Sequence, residues 1–157
     1  MSIQQVKSYF QQFGMESRVR ELPESSATVE LAAQALGTQP ARIAKTLSFL
    51  VGEEPILIVA AGDVKIDNAK YKARFHQKAK MLSPAQVLEL IGHPVGGVCP
   101  FVVKEGVRTF LDESLKRFQT VFPACGSGNS AIELTLSELE QYSGFEEWVD
   151  VCKSPEG

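Results

Sequence analysis

Cysteine is scarce in this chain, with only Cys99, Cys125 and Cys152 among 157 residues. Their spacing is far too wide for a Cys-x-x-Cys zinc or redox motif, and an odd number fits poorly with a disulfide framework, so they read as reduced thiols. Long apolar runs are missing as well: none approaches the roughly 20 residues that span a bilayer. The start Met1-Ser2-Ile3-Gln4-Gln5-Val6 has no basic segment followed by an apolar one. The expectation is a soluble cytoplasmic protein with no membrane partner. No His/Asp/Glu cluster has metal-ligand spacing, and Glu133 has no second carboxylate at a readable distance. The glycine loops lack both the Lys-Ser/Thr ending of a P-loop and the dinucleotide fingerprint, so neither a metal nor a cofactor is expected. A large excess of charge of one sign is also lacking. The formal net charge of -3 argues against wholesale coating of nucleic acid, but leaves room for a local basic patch.

What is present is the making of one globular core, with 44% hydrophobic and 22% charged residues. Ile3, Val6, Tyr9, Phe10 and Phe13 recur at helical spacing before Gly14. Thr28 is placed to cap a helix carrying Val29, Leu31, Ala32, Ala35 and Leu36, closed by Gly37, and Pro40 suits the first turn of a short helical segment. Residues 45–51 and 55–61 read as strands joined by a hairpin at Gly52 to Pro55. A helix is expected over 67–75, a short strand over 79–82, and a helix from Ser83-Pro84 through Leu90 to Gly92. Strand-like segments follow at 107–112, 120–124, 131–136 and 148–152, with Ser137 and Glu140 as a capping box between the last two. Strands in runs with irregularly interposed helices indicate an α+β fold built on a mixed sheet. No repeat or low-complexity tract is visible, and residues 153–157 are expected to form a flexible tail.

The run Gly92-His93-Pro94-Val95-Gly96-Gly97-Val98-Cys99-Pro100-Phe101 is the most informative stretch. Glycine admits close approach to the main chain and proline offers no N–H, so donors from Gly97, Val98 and Cys99 could converge on an oxygen. An ordinary tight turn is the competing reading. Lys45 adds weight to the first, because period-2 counting sets it on one face with Leu47, Phe49 and Val51, where an unpaired lysine needs a reason. Either it snorkels from the strand end or it is a fixed cation for a phosphate or a polarised carbonyl.

Pro40-Ala41-Arg42-Ile43-Ala44-Lys45-Thr46-Leu47, the Gly-x-x-x-Pro of Gly96 to Pro100, and Gly126-Ser127-Gly128-Asn129-Ser130-Ala131-Ile132-Glu133-Leu134 occur in the order seen in the YbaK and ProX family. The chain resembles these trans-editing aminoacyl-tRNA deacylases, which are related to the editing domain of bacterial prolyl-tRNA synthetases. The resemblance runs from about Thr28 to Leu139. It implies a YbaK-like domain over residues 1–152, with a mixed, partly barrel-like sheet surrounded by helices. It implies hydrolysis of mischarged aminoacyl-tRNA, with a small amino acid on proline tRNA as the substrate class and prolyl-tRNA synthetase as a candidate partner. A non-catalytic module that binds aminoacyl-tRNA or a free amino acid as a sensor fits the same motifs. By this resemblance Lys45 orients the terminal adenosine or its phosphate, and Gly96 and Gly97 shape the oxyanion site. Thr28, Thr46, Val98, Pro100, Ser127, Asn129 and Ser130 are then the substrate-binding set. The chain departs from cysteine-specific members at Thr28, where an aromatic residue is usual, at Val102, where glycine is common, and at Ala131, where aspartate is usual.

Residues 65–80 hold Lys65, Lys70, Lys72, Arg74, Lys78 and Lys80 against the single acid Asp67. Lys70, Lys72, Arg74 and Lys78 are candidates for contact with the tRNA acceptor end, and a solvated helix face is the alternative. No DNA-binding segment is visible. His93 and Cys99 invite a Cys-His nucleophile, set against a buried small thiol beside a turn histidine. Ser127, Asn129 and Ser130 fit turn chemistry as well as substrate contact.

Overall fold

Ile43 to Val51 and Glu54 to Ala61 are rich in branched aliphatic residues and are separated by two residues, so they pair locally before anything else can compete. In the computed structural model, which describes residues 2–154, they form the long antiparallel hairpin β2 (Ile43–Val51) and β3 (Glu54–Ala61). Their register sets Lys45 opposite Ala60, Thr46 opposite Val59 and Phe49 opposite Ile56. The remaining strands are short. They are β1 (Arg20–Glu21), β4 (Lys65–Ile66), β5 (Arg108–Asp112), β6 (Thr120–Pro123), β7 (Ser130–Ala131), β8 (Leu134–Thr135), β9 (Glu147–Val149) and β10 (Cys152–Lys153). Six of the ten make one curled mixed sheet in the order β8-β6-β2-β3-β5-β9, and β1-β7 and β10-β4 are separate antiparallel pairs. The contacts β6-β2, β3-β5 and β5-β9 are parallel.

Helices α1 (Ser2–Gln11), α2 (Val29–Leu36), α3 (Asn68–Phe75), α4 (Pro84–Gln86) and α5 (Leu136–Ser143) enclose this half-barrel in a single α+β domain. Thr28 Oγ1 accepts from Leu31 N to cap α2, and Asp67 caps α3 through Lys70 N. Side chains alternate across the hairpin, so its two faces meet different partners. Phe49, Ile56 and Ile58 pack on the face closed by Tyr71 and Phe75 of α3 and by Phe110, whereas Leu50 and Leu57 meet Leu82, Val87 and Ile91.

Most elements agree with the sequence reading, and the exceptions have local causes. The expected strand at 131–136 is broken: β7 ends at Ala131, β8 spans only Leu134–Thr135, and α5 begins at Leu136. The capping box is made by Thr135 and Glu138 rather than by Ser137 and Glu140, because the helix begins earlier than the spacing implied. Ala79 to Leu82 does not form a full strand but a bridge, Met81 opposite Phe49. The helix after Ser83 widens into a π-helical turn over Val87–Ile91. The segment 148–152 splits into β9 and β10, and β1 had no sequence signal. Pairing continues to Lys153, opposite Lys65, while Pro155 to Gly157 of the expected tail lie outside the described residues.

Between the π-helical turn and β5 the glycine loop folds over the sheet. A Cβ at Gly97 would meet Ser127 N at 2.5 Å and the Gly126 carbonyl carbon at 2.6 Å, so this loop and the 126–130 turn touch backbone to backbone. Val102 takes a left-handed φ of 53°. A β-branched residue is strained there. Gly97→Ala should destabilise the fold by about 1–3 kcal/mol through a clash with fixed backbone. Val102→Gly should stabilise it by about 1 kcal/mol, the relief of strain exceeding the entropy cost of a new glycine. Urea unfolding of the two variants checks both signs.

Candidate active site

Alongside β2 from Ile43 to Ser48, a cavity of about 310 Å³ opens between the sheet and its covering elements. Val29 and Ala32 of α2 form one side, Leu82, Pro84 and Val87 another, Val95, Gly96 and Val98 of the glycine loop a third, and Phe122, Ala124, Ser130 and Ala131 the far wall. Packing explains the arrangement. The apolar stripe of α2 and the π-helical turn both need cover, and each buries most of it against the sheet while leaving a gap at the glycine loop.

Among the described residues, Lys45 is the only ionisable side chain in that wall, and no carboxylate, imidazole or thiol borders the cavity. Its side chain is half-buried and Nζ donates to the Val64 carbonyl. Burial lowers its pKa, opposed by Cys152, Asp63 and Glu30 at longer range. Asp63 is itself committed, held by Arg117 at 2.6 and 3.0 Å, and this pairing keeps its carboxyl below the ordinary range. A lysine fixed by one carbonyl and no contacting acid retains donors for a ligand.

The cavity brings together part of the sequence-derived set. Thr28, Thr46, Gly96, Val98 and Ser130 border it with Lys45, although Thr28 spends its hydroxyl on the α2 cap. Gly97 is a correction. Its N–H donates to Pro94 O at 3.0 Å, so it closes a turn and is not an oxyanion donor; its necessity is steric. Among the described residues, the N–H groups of Gly96, Val98 and Cys99 have no hydrogen-bond partner, and of these three residues Gly96 and Val98 border the cavity. Pro100 is buried outside the cavity wall. Ser127 and Asn129 also lie outside it. Ser127 Oγ donates within the turn and Asn129 Nδ2 donates to Leu22 O at 3.1 Å, tying the turn to the segment before α2. Residues that sequence reasoning passed over include Ser26, and Met81 and Val95 at the rim, the last two more than half exposed. Large apolar side chains left in solvent were the available signal, but exposure is not legible in one sequence.

The Cys-His pair fails as a nucleophile. Both residues are fully buried, and His93 Nε2 lies 2.6 Å from Phe101 O, which requires the proton on that nitrogen. The same nitrogen is the one facing Cys99 Sγ, at 3.6 Å, so it cannot accept the thiol proton. Burial pushes the Cys99 thiol up to about 12. The basic segment is also altered by its surroundings. Lys70 pairs with Asp150 at 3.0 Å and Arg74 with Glu147, so both brace α3 against the C-terminal strands. Lys72 and Lys78 are exposed and form no ion pair among the described residues. None of the four borders the cavity. No helix among the described residues is long and apolar enough to cross a membrane.

Comparison with known proteins places this geometry. Residues 23–142 match the aminoacyl-tRNA editing domain. The chain is 56% identical over 154 residues to the uncharacterized protein YwhH of Bacillus subtilis (strain 168), covering 98% of each. It is 26% identical over 151 residues to a proline–tRNA ligase of Thermotoga maritima, covering 95% of this chain but 26% of the ligase, and so spans about a quarter of that enzyme. A solved structure assigned provisionally as a trans-editing enzyme for prolyl tRNA synthetase superposes with a TM-score of 0.86 at 28% identity, over 98% of both chains. Every residue of the cavity wall, from Ser26 to Ala131, falls inside the matched segment, and the chain belongs to the aminoacyl-tRNA editing domain family.

Proposed function

We propose that this protein hydrolyses, in trans, the ester bond of a mischarged aminoacyl-tRNA, with a small amino acid on proline tRNA as substrate. The observation that carries this reading is a small, largely apolar cavity whose sole ionisable group is Lys45. Such a wall can bind and orient an ester, and none of its hydroxyls has an imidazole or carboxylate in the wall to activate it as a nucleophile. Water is then the nucleophile, and its proton passes to a group of the substrate, such as the neighbouring ribose hydroxyl. Attack on the ester carbonyl builds a negative oxygen, for which the N–H groups of Gly96 and Val98 are the candidate donors. Collapse breaks the bond to the ribose oxygen, which leaves with a proton and gives the free amino acid and uncharged tRNA. Lys45 fixes the terminal nucleotide through its phosphate or sugar. The volume and apolar lining favour a short side chain. The choice of proline tRNA rests on the related ligases, and prolyl-tRNA synthetase is the partner they suggest. Of the four candidates, Lys72 and Lys78, which form no ion pair among the described residues, are the ones free to meet acceptor-stem phosphates.

Proline tRNA charged with alanine, cysteine, serine, threonine or 2-aminobutyrate provides the test. At least one should be deacylated well above the uncatalysed rate. Retention of ligand with no release from any would identify a binding module instead. Lys45→Ala should lower the rate at least about 100-fold, the loss of one fixed charge-assisted contact plus misplacement of the ester, with thermal unfolding little changed. Because burial lowers the Lys45 pKa, its charge is lost at a lower pH than for a free lysine. After subtraction of alkaline ester hydrolysis, kcat/KM should therefore fall as pH rises toward, but below, the usual lysine range. In Lys45→Arg, whatever activity remains should lack that limb, since guanidinium stays charged.

A further inference from the structure

Two hydroxyls in the cavity wall have nothing to bond. Ser26 Oγ and Thr46 Oγ1 are sealed from solvent, and neither has a hydrogen-bond partner among the described residues. Ser26 is only 8% exposed. Folded proteins rarely leave such groups unpaired, and an orphan at a cavity wall calls for an explanation. Of the other hydroxyls of the same wall, Thr28 Oγ1 caps α2 and Ser130 Oγ bonds to Ser127, while Ser48 Oγ has no partner among the described residues but is not one of the sealed atoms. The backbone on both sides is fixed. Ser26 N donates to Gly128 O at 2.7 Å, and Thr46 sits in the middle of the hairpin opposite Val59. A rotation about χ1 between staggered wells is thus the motion that carries either hydroxyl toward the cavity's contents.

An aminoacyl ester brings an α-amino group whose N–H donors lose water on entry. The wall offers that group no carboxylate, and Lys45 disfavours a positive charge near its own ammonium. We infer that the hydroxyl oxygens of Ser26 and Thr46 receive the α-amino group of the substrate, pairing two orphan acceptors with donors that would otherwise be stranded. This assignment rests on the proposed binding of an aminoacyl ester in the cavity. It also predicts a signature that a structural role cannot give. Removing a hydroxyl that has no partner in the free protein relieves a buried polar group, so stability rises while ligand binding falls.

The test uses the full chain and a non-hydrolysable probe, 3′-(L-alanylamino)-3′-deoxyadenosine, with its N-acetyl derivative as control, in titration calorimetry. Ser26→Ala and Thr46→Val should each weaken the alanyl probe about tenfold, leave the affinity of the N-acetyl probe unchanged, and raise Tm by about 2–4 °C. The assignment is overturned if both variants bind the alanyl probe like the parent, if they lose both probes equally, or if Tm falls together with affinity. A loss seen only with a seryl probe would also overturn it, by assigning the hydroxyls to the side chain. A parent protein that does not bind the alanyl probe overturns it as well. Amine-dependent binding without hydrolysis of any charged tRNA would support this assignment while refuting the deacylase reading.

Discussion

The backbone of Gly97 lies so close to that of Gly126 and Ser127 that no side chain fits between them, and the shape of the cavity depends on this contact. Two loops remote in sequence are held at a fixed separation without any polar bond between their side chains. Gly96 and Val98 flank the contact, which sets how far the glycine loop stands from β2. The 126–130 turn is in turn fastened to the chain before α2, through Leu22 N to Asn129 O at 2.7 Å and Asn129 Nδ2 to Leu22 O. One steric constraint therefore locates three of the cavity's sides.

Within that frame the electrostatics are simple. A single lysine faces a lining of aliphatic groups, hydroxyls and main chain, and two of the nearby acids are occupied elsewhere, Asp63 by Arg117 and Glu133 by Arg42 and Thr120. A low-dielectric wall makes one charge count for more than it would on the surface. Such a wall is suited to binding by position and desolvation.

Much of the fold was legible because local signals agreed with tertiary demand. The β2-β3 hairpin, the Thr28 cap, the α3 boundaries and the helix after Ser83 follow from period, caps and glycine stops. The 131–136 segment misled because its apolar residues alternate like a strand, whereas the Thr135-x-x-Glu138 box starts a helix inside it. At the site, Lys45 and Thr46 were visible as polar residues on a strand that packs against a core. Gly97 was read as an oxyanion donor, whereas its N–H closes a turn and its lack of a Cβ permits the backbone contact, because sequence shows that a glycine is present and not whether its N–H is free. Ser127 and Asn129 look like ligands by composition, and only three-dimensional pairing shows them binding the protein itself. Ser26 carried no signal, because an orphan hydroxyl is defined by neighbours brought from elsewhere in the chain.

The three cysteines are all buried, and burial raises the pKa of each thiol, to about 12 for Cys99 and Cys152. Peroxides and soft electrophiles react with accessible thiolates, and this protein displays none. The cysteine sulfur here is packing material. A cavity whose neighbouring thiols are all shut away does not depend on the redox state of cysteine for its shape.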